Sequence, residues 1–251
     1  MSETYVHGTA PSEQERLALL NRMTNQTFVA FLGVTPEMRV LEVGSGLGIL
    51  AGAVASVAAQ VVGVERSPEQ LARAPRLPNL TFVQGDAHRL DFPDASFDLV
   101  YTRYVLEHVA DPEHVVREMR RVARPGARVV ACENDISLMR FDPPCPAFEA
   151  AWEGLARYQA SLGGDALIGR RLFRLFRRAG FTDVELSVQP EIHWAGSVGF
   201  EAWVRVVIGN IKGARAGIGE EISDRAVAEL EELLVRDDAS VIFAWNRAVG
   251  T

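Results

Sequence analysis

The chain has 251 residues, 48% hydrophobic and 24% charged, with a formal net charge of −7. That is the composition of an ordinary folded protein of one large domain or two small ones, and it excludes a general basic field for nucleic acid. Two cysteines, Cys132 and Cys145, are too few for a disulfide scaffold and lack paired metal spacing, so a reducing, cytoplasmic setting is expected.

The first residues, Met1-Ser2-Glu3-Thr4-Tyr5, lack the basic and apolar parts of a secretion signal. Ser12 with Glu15 forms a capping pattern. Leu17, Leu20, Thr24, Phe28 and Phe31 follow at helical spacing, until Gly33 and Pro36 stop the helix. Strands are then expected at 39–43, 61–65, 80–84, 97–102, 128–133, 182–188 and 241–247. Helices are expected at 47–58, 68–73, 112–124 and 169–179. The best marked is 112–124, with Asp111 as cap, Pro112 in the first turn and Pro125-Gly126 as the stop. Alternation of this kind predicts an α/β fold with a doubly wound, seven-stranded, mostly parallel sheet. Ligands bind such sheets at the carboxyl ends of the strands.

Between Val43 and Val64 no residue is charged, yet glycines, Ser45, Ser56 and Gln60 argue against a membrane span. A buried strand–helix–strand unit reads the same way. Two stretches interrupt the alternation. Residues 135–168 carry Pro143-Pro144-Cys145-Pro146 and then a helical segment. Residues 190–238 carry His193, Trp194, a helical segment from Phe200 to Ile211 and an amphipathic helix near 220–236. Both leave from the carboxyl ends of strands, so both are expected to act as lids or substrate-binding walls. Their aromatic residues include Trp152, Trp194 and Trp203, which suggests a pocket for a flat or apolar compound.

The stretch Val40-Leu41-Glu42-Val43-Gly44-Ser45-Gly46-Leu47-Gly48 reads as a strand running into a glycine turn and a helix. Glycine lets backbone approach a ligand, and the helix directs free N–H groups into the same space. Glu65 sits at the tip of the second strand, where a carboxylate can accept hydrogen bonds from both ribose hydroxyls. A dinucleotide fold also wants an acid about twenty residues after its glycines. Here the glycines run G-x-G-x-G, unlike the dinucleotide G-x-G-x-x-G, and Glu42 would repel a pyrophosphate.

With these residues, and with Gly85-Asp86-Ala87 after the third strand, the chain resembles the class I S-adenosylmethionine (SAM) methyltransferases. The resemblance is to their small-molecule branch, of the ubiquinone- and menaquinone-biosynthesis type. Further matches are Asp94–Tyr101 with the following Thr102-Arg103-Tyr104, Leu106-Glu107-His108, and Arg124-Pro125-Gly126-Ala127. The last departs mildly from the family by placing Ala127 where a second glycine is usual. The resemblance spans residues 38–134. It implies a single methyltransferase domain over 1–251, with 1–34 as an N-terminal helical cover, 38–134 as the SAM-binding core, and 135–168 and 190–238 as insertions.

The resemblance also implies residue roles. Glu42, Thr102 and Arg103 would hold the methionyl end of SAM, and Tyr5 would close over it. Gly44, Ser45 and Gly46 would form the cradle. Glu65 and the adjacent Arg66 would flank the ribose, while Gly85, Asp86 and Ala87 would hold the adenine. The reaction would be an in-line methyl transfer to O, N or C of a small organic acceptor, releasing S-adenosylhomocysteine. Alignment and exclusion of water supply most of such a rate, and a base is needed only where the acceptor must lose a proton. His193, His108 and Tyr104 are the catalytic candidates, and Glu133, Asn134 and Asp135 could orient an acceptor. The histidines show no metal-ligand spacing. No nucleic-acid or membrane partner is expected, and the chain could be a monomer or a homodimer. Two rival readings are an NAD-dependent oxidoreductase and a SAM-binding protein without catalysis.

Overall fold

A computed structural model describes the backbone of residues 11–251, the side chains from Met23 onward, and those of Leu19 and Asn21. Tyr5 lies outside the described residues, as do the side chains of the Ser12–Glu15 cap. In chain order the elements are α1 (Pro11–Leu32), β1 (Arg39–Val43), α2 (Ile49–Ala55), β2 (Gln60–Glu65), α3 (Pro68–Leu71), β3 (Leu80–Gln84), β4 (Phe97–Arg103), α4 (Pro112–Val122), β5 (Ala123–Glu133), β6 (Arg140–Asp142), α5 (Pro146–Ser161), α6 (Leu172–Arg178), β7 (Val184–Trp194), α7 (Phe200–Gly213), α8 (Arg215–Ile218), α9 (Glu220–Leu233) and β8 (Ser240–Gly250). Short 3₁₀ turns at Leu106–His108, Ile136–Leu138 and Ile168–Arg171 join some of them.

One sheet runs β3-β2-β1-β4-β5-β8-β6, and β7 pairs with β8. Strands β1 to β5 pair in parallel, whereas β8 runs antiparallel to β5, β6 and β7. The sheet therefore has eight strands where the sequence predicts seven. The extra one, β6, is three residues just before Pro143-Pro144, too short to show alternation, and it exists because β8 is long enough to pair with it at Ser240–Ile242. β7 also runs to Trp194, six residues past its predicted end, because β8 offers an unbroken partner.

Successive strand residues face opposite sides of the sheet, and two cores result. Val40, Leu99 and Tyr101 face the side covered by α1, α2, α5, α7 and α9. Leu41, Val43, Val100 and Val129 face α4 and α6. The α4 stripe of Val115, Val116, Met119 and Val122 has no exposed surface. Burial of each such side chain is worth about 1.5–3 kcal/mol. Asp111 caps α4 by accepting from the His114 N–H at 2.9 Å. Alternation also fixes Glu42: it shares a face with Val40 and stands beside Tyr101 on β4 and Gly63 on β2. A carboxyl thus occupies a position in the first core where its neighbours on the strand are apolar. No helix among the described residues is long and apolar enough to cross a membrane.

Candidate functional site

The carboxyl ends of β1, β2, β3 and β4 open into a cavity of about 1000 Å³. Its floor is the turn after β1. The Gly44 and Ser45 N–H groups donate to the Val64 carbonyl at 2.8 and 2.9 Å, which binds the turn to β2. Gly44 has φ +74°, and a Cβ there would lie 2.4 Å from Val105 Cγ2, so only glycine fits. At Gly48, φ is +69° and a Cβ would strike the Phe82 ring at 2.3 Å.

Glu65 joins the two motifs. Its Oε2 accepts from the Gly46 N–H and its Oε1 from the Ser67 N–H, each at 2.9 Å. Each oxygen retains a further lone pair for a ligand. Gly46, Ser45, Gly85, Ala87, Arg66 and Asp86 line the same cavity. Asp86 accepts from the His88 backbone N–H at 2.9 Å, and that bond holds its carboxyl below the usual range.

Glu42 lies deeper and is 3% exposed. Burial pushes its pKa up to about 8, against the opposing pull of Arg103. Its Oε2 is buried without a hydrogen-bond partner, as are Ser45 Oγ and Gln70 Oε1 nearby. A buried polar atom left unpaired costs about 1–3 kcal/mol, so three on one cavity wall mark a place built for something else. Arg103 is clamped by α1: it donates to Asn21 Oδ1 at 2.7 Å, Asn25 Oδ1 at 2.6 Å and Thr24 Oγ1 at 3.1 Å. Asn21 itself reaches the cavity.

Past β4 the chain turns sharply. Tyr104 has φ +58°, a conformation that non-glycine residues rarely adopt. It is held there by its N–H on the Cys132 carbonyl at 3.0 Å, and Glu133 braces the next residues by accepting from the Val105 and Leu106 N–H groups at 3.1 and 3.0 Å. Burial first, and then the neighbouring Glu107 charge, raise the Glu133 pKa. Burial also lifts the Tyr104 phenol well above its normal range, so it stays protonated as a donor. Glu107 accepts from Asn134 Nδ2 at 2.9 Å, and His108 Nδ1 lies 3.4 Å from Gln159 Nε2. Tyr104, Glu107, His108, Asn134 and Asp135 all line the cavity.

Three of the predicted site residues with described side chains do not. Thr102 is fully buried, and its hydroxyl donates to the Val43 carbonyl at 3.0 Å, tying β1 to β4 under the glycine turn. His193 packs against the rings of Trp203 and Phe243, with centroids 6.2 and 6.4 Å away, and it is those rings that face the cavity. Its Nε2 turns to Glu191 Oε2 at 3.3 Å. Glu133 is likewise outside the cavity lining.

The far end of the cavity is aromatic and aliphatic. Trp152 and Leu155 come from α5, Trp203 and Val207 from α7, and Phe243 and Trp245 from β8. Trp245 bridges this end to the turn, with its ring centroid 5.0 Å from Tyr104. Sequence reasoning expected Trp152 and Trp203, and also Trp194, which is exposed and outside the cavity lining; it missed Phe243 and Trp245. Their signal was present: Val241, Phe243 and Trp245 alternate along the last strand and share a face. Among the described residues no group of three or more His, Cys, Asp or Glu is placed to hold a metal ion.

The methyltransferase domain family matches residues 41–131. An uncharacterized methyltransferase of Synechocystis sp. is 32% identical over 177 residues, 67% of this chain and 80% of that protein. A demethylmenaquinone methyltransferase of Beutenbergia cavernae is 35% identical over 134 residues, 53% of each chain. A phosphatidylethanolamine N-methyltransferase of Cereibacter sphaeroides is 40% identical over 132 residues, 50% of this chain and 62% of that one. The chain thus spans only about half the length of several relatives it matches, 45% for a 37.1 kDa transposon protein of Streptomyces fradiae. Among solved structures, the YcgJ protein of Bacillus subtilis superposes with a TM-score of 0.62 at 18% identity, covering 92% of this chain and 98% of that one. Phosphoethanolamine N-methyltransferase 2 of Haemonchus contortus, in complex with S-adenosylmethionine, gives 0.54 at 20% identity, covering 95% of this chain and 52% of that one. These two show a shared fold.

Proposed function

We propose that this chain, which belongs to the methyltransferase domain family, transfers the methyl group of SAM to an oxygen, nitrogen or carbon of a small organic acceptor. One observation carries the choice of cofactor: the buried Glu42 carboxyl with an unpartnered oxygen, beneath a glycine turn on the cavity wall. A pyrophosphate gains nothing from that carboxyl and would hold it neutral, whereas the amino and sulfonium cations of SAM draw out its ionised form as a charge partner. When bound, SAM supplies an electrophilic methyl on sulfur.

The chain's own residues divide the work. Glu65 is placed for the ribose hydroxyls, and Gly85, Asp86 and Ala87 for the adenine. Arg66 lies beside the ribose position. Glu42 and the α1-clamped Arg103 serve the methionyl end, where Asn21 contributes the helical cover. The acceptor takes the aromatic end, between the α5 and α7 walls contributed by the two insertions. Trp152, Trp203 and Trp245 exclude water there, and alignment of acceptor and methyl in that dry space accounts for most of the rate. Tyr104 offers a hydrogen bond beside the reacting atoms. His108, with Glu107 next to it, is the group placed to take a proton. Both thiols are free and buried, which suits a cytoplasmic enzyme.

His193→Ala keeps methyl transfer near the wild-type rate, far from the roughly 10²–10⁴-fold loss of removing a general base. Production of S-adenosylhomocysteine by wild type and variant measures this, and a hundredfold loss would restore His193 as a base. The cofactor reading is tested by calorimetric titration with SAM, S-adenosylhomocysteine and NADH. Binding of the first two without the third is expected. Binding of NADH alone would overturn the reading and return Glu65 to a dehydrogenase.

A further inference from the structure

The arginines of this acidic chain are not evenly spread. From Ile168 to Arg178 it carries Arg170, Arg171, Arg174, Arg177 and Arg178 and not one acid, against a net charge of −7 for the whole. Leu172, Leu175 and Phe176 of α6 are buried against the sheet, so the arginines stand on the outer side. Three are partly neutralised, by Asp135, Asp165 and, at 3.9 Å, Glu113. Arg174 and Arg177 pair with no acid among the described residues, and Arg177 Nη1 donates hydrogen bonds to the neutral carbonyls of Phe181 and Thr182. Phe173 projects among them, 48% exposed, where every other described phenylalanine is buried or half-buried.

The sheet beside α6 is left bare. β7 pairs with β8 in unbroken register from Val184 to Trp194, so Leu186, Val188, Ile192 and Trp194 share one face. Leu186 stands opposite Ala248, which belongs to the core that also holds Leu172, Leu175 and Phe176 of α6. The exposed stripe is therefore on the α6 side of the sheet. Val188, Ile192, Trp194 and Ile242 of β8 are 51–60% exposed, a continuous apolar strip at the sheet's edge. Apolar patches of this kind mark interaction sites.

We propose that this face, the bare β7–β8 strip flanked by the α6 arginines, docks on an anionic lipid surface. Arginines around exposed Phe173, with exposed Trp194 at the far end of the strip, match the interfacial zone of a bilayer, where aromatic rings enter the headgroup layer and cations meet acidic lipids. A second copy of the chain suits the face less well, because a two-fold contact would bring like arginine sets together. Nucleic acid would leave the apolar strip without a purpose. The expectation of no membrane partner answers a spanning segment, not a surface contact, and the net charge conceals the segregation of cations onto one face. Arg170 holds Asp135, which lines the cavity, so the basic face adjoins the cavity rim. An apolar acceptor would have a short path from lipid to the aromatic end.

Flotation of the full chain with vesicles tests this without any methyl acceptor. Vesicles of phosphatidylcholine with roughly 30% phosphatidylglycerol should retain at least about ten times more protein than phosphatidylcholine alone, and about 0.5 M salt should abolish the difference. Arg174→Glu combined with Arg178→Glu should remove the preference. Phe173→Ser should weaken retention while the charge is unchanged, and Trp194→Ser gives a second reading of insertion. Calorimetry with S-adenosylhomocysteine on each variant reports an intact cavity separately. Equal retention by both vesicle types, or retention untouched by the arginine variants, would overturn the proposal. So would tighter capture by a duplex RNA than by the anionic vesicles, or a stable dimer that buries the strip and excludes the vesicles.

Discussion

Glu65→Ala weakens SAM and S-adenosylhomocysteine binding at least tenfold while the protein remains folded. Two losses add. A hydrogen bond to a charged group contributes about 1.5–3 kcal/mol, and the proposed ribose contact is of that kind. The same carboxylate also anchors Gly46 of the turn and Ser67 at the start of α3, each by a 2.9 Å bond. Removing it frees the turn that brings backbone to the ligand. Glu65→Gln is not a gentle change, because a side-chain amide has one acceptor oxygen where two backbone N–H groups now point at two oxygens. The glutamine variant is therefore expected to lose nearly as much as alanine. Calorimetric titration gives the affinities, and circular dichroism checks the fold. Wild-type affinity in either variant would mean that Glu65 serves the turn alone and that the ribose is held elsewhere.

The parts of this molecule that a reader of the sequence could see are those whose cause is local. β1, β3 and α4 lie within two residues of their predicted limits because apolar periodicity, Asp111-Pro112 and the glycine turn act over a few positions. Glu42, Glu65 and Asp86 were legible as cavity-lining positions, because a parallel sheet gathers the carboxyl ends of its strands on one edge: Glu42 lies one residue before the end of β1, Glu65 ends β2 and Asp86 follows β3. What stayed hidden depends on pairing across the chain. β6 exists only through β8, and no three-residue stretch announces that. Thr102 was expected in the cavity, but its hydroxyl is spent on Val43 one strand away. His193 was expected there too. It sits on β7, and the alternation of β8 presents Phe243 and Trp245 to the cavity with His193 packed behind Phe243 and Trp203. The order of the last three strands decides which ring faces inward, and the sequence alone does not state that order.

The ratio of wild-type to Glu42→Gln affinity for SAM should climb roughly twentyfold as pH rises from about 6.5 to 8.5, from the titration of one carboxyl. In the free protein burial holds the Glu42 pKa near 8. At neutral pH most molecules carry that carboxyl neutral, and a cationic ligand must displace its proton to gain a charge partner. Affinity therefore rises with pH until the free carboxyl has ionised, and then levels off. The ligand's own amino group titrates near pH 8 and works in the other direction, but it does so equally in both proteins and cancels in the ratio. The folding equilibrium supplies an independent sign. A carboxyl whose pKa is raised in the fold favours the folded state below its unfolded value of about 4.5, and that contribution is lost progressively as pH climbs to about 8. Glu42→Gln should accordingly raise the melting temperature of the ligand-free protein more at pH 8 than at pH 5. Proton release measured by calorimetry in two buffers closes the argument: wild type at pH 7 should expel close to one proton more than the variant when SAM binds. A flat affinity ratio with equal proton release would show that the buried carboxyl never meets the ligand's charge, and Glu42 would then be a polar residue of the core beside Tyr101 and Arg103.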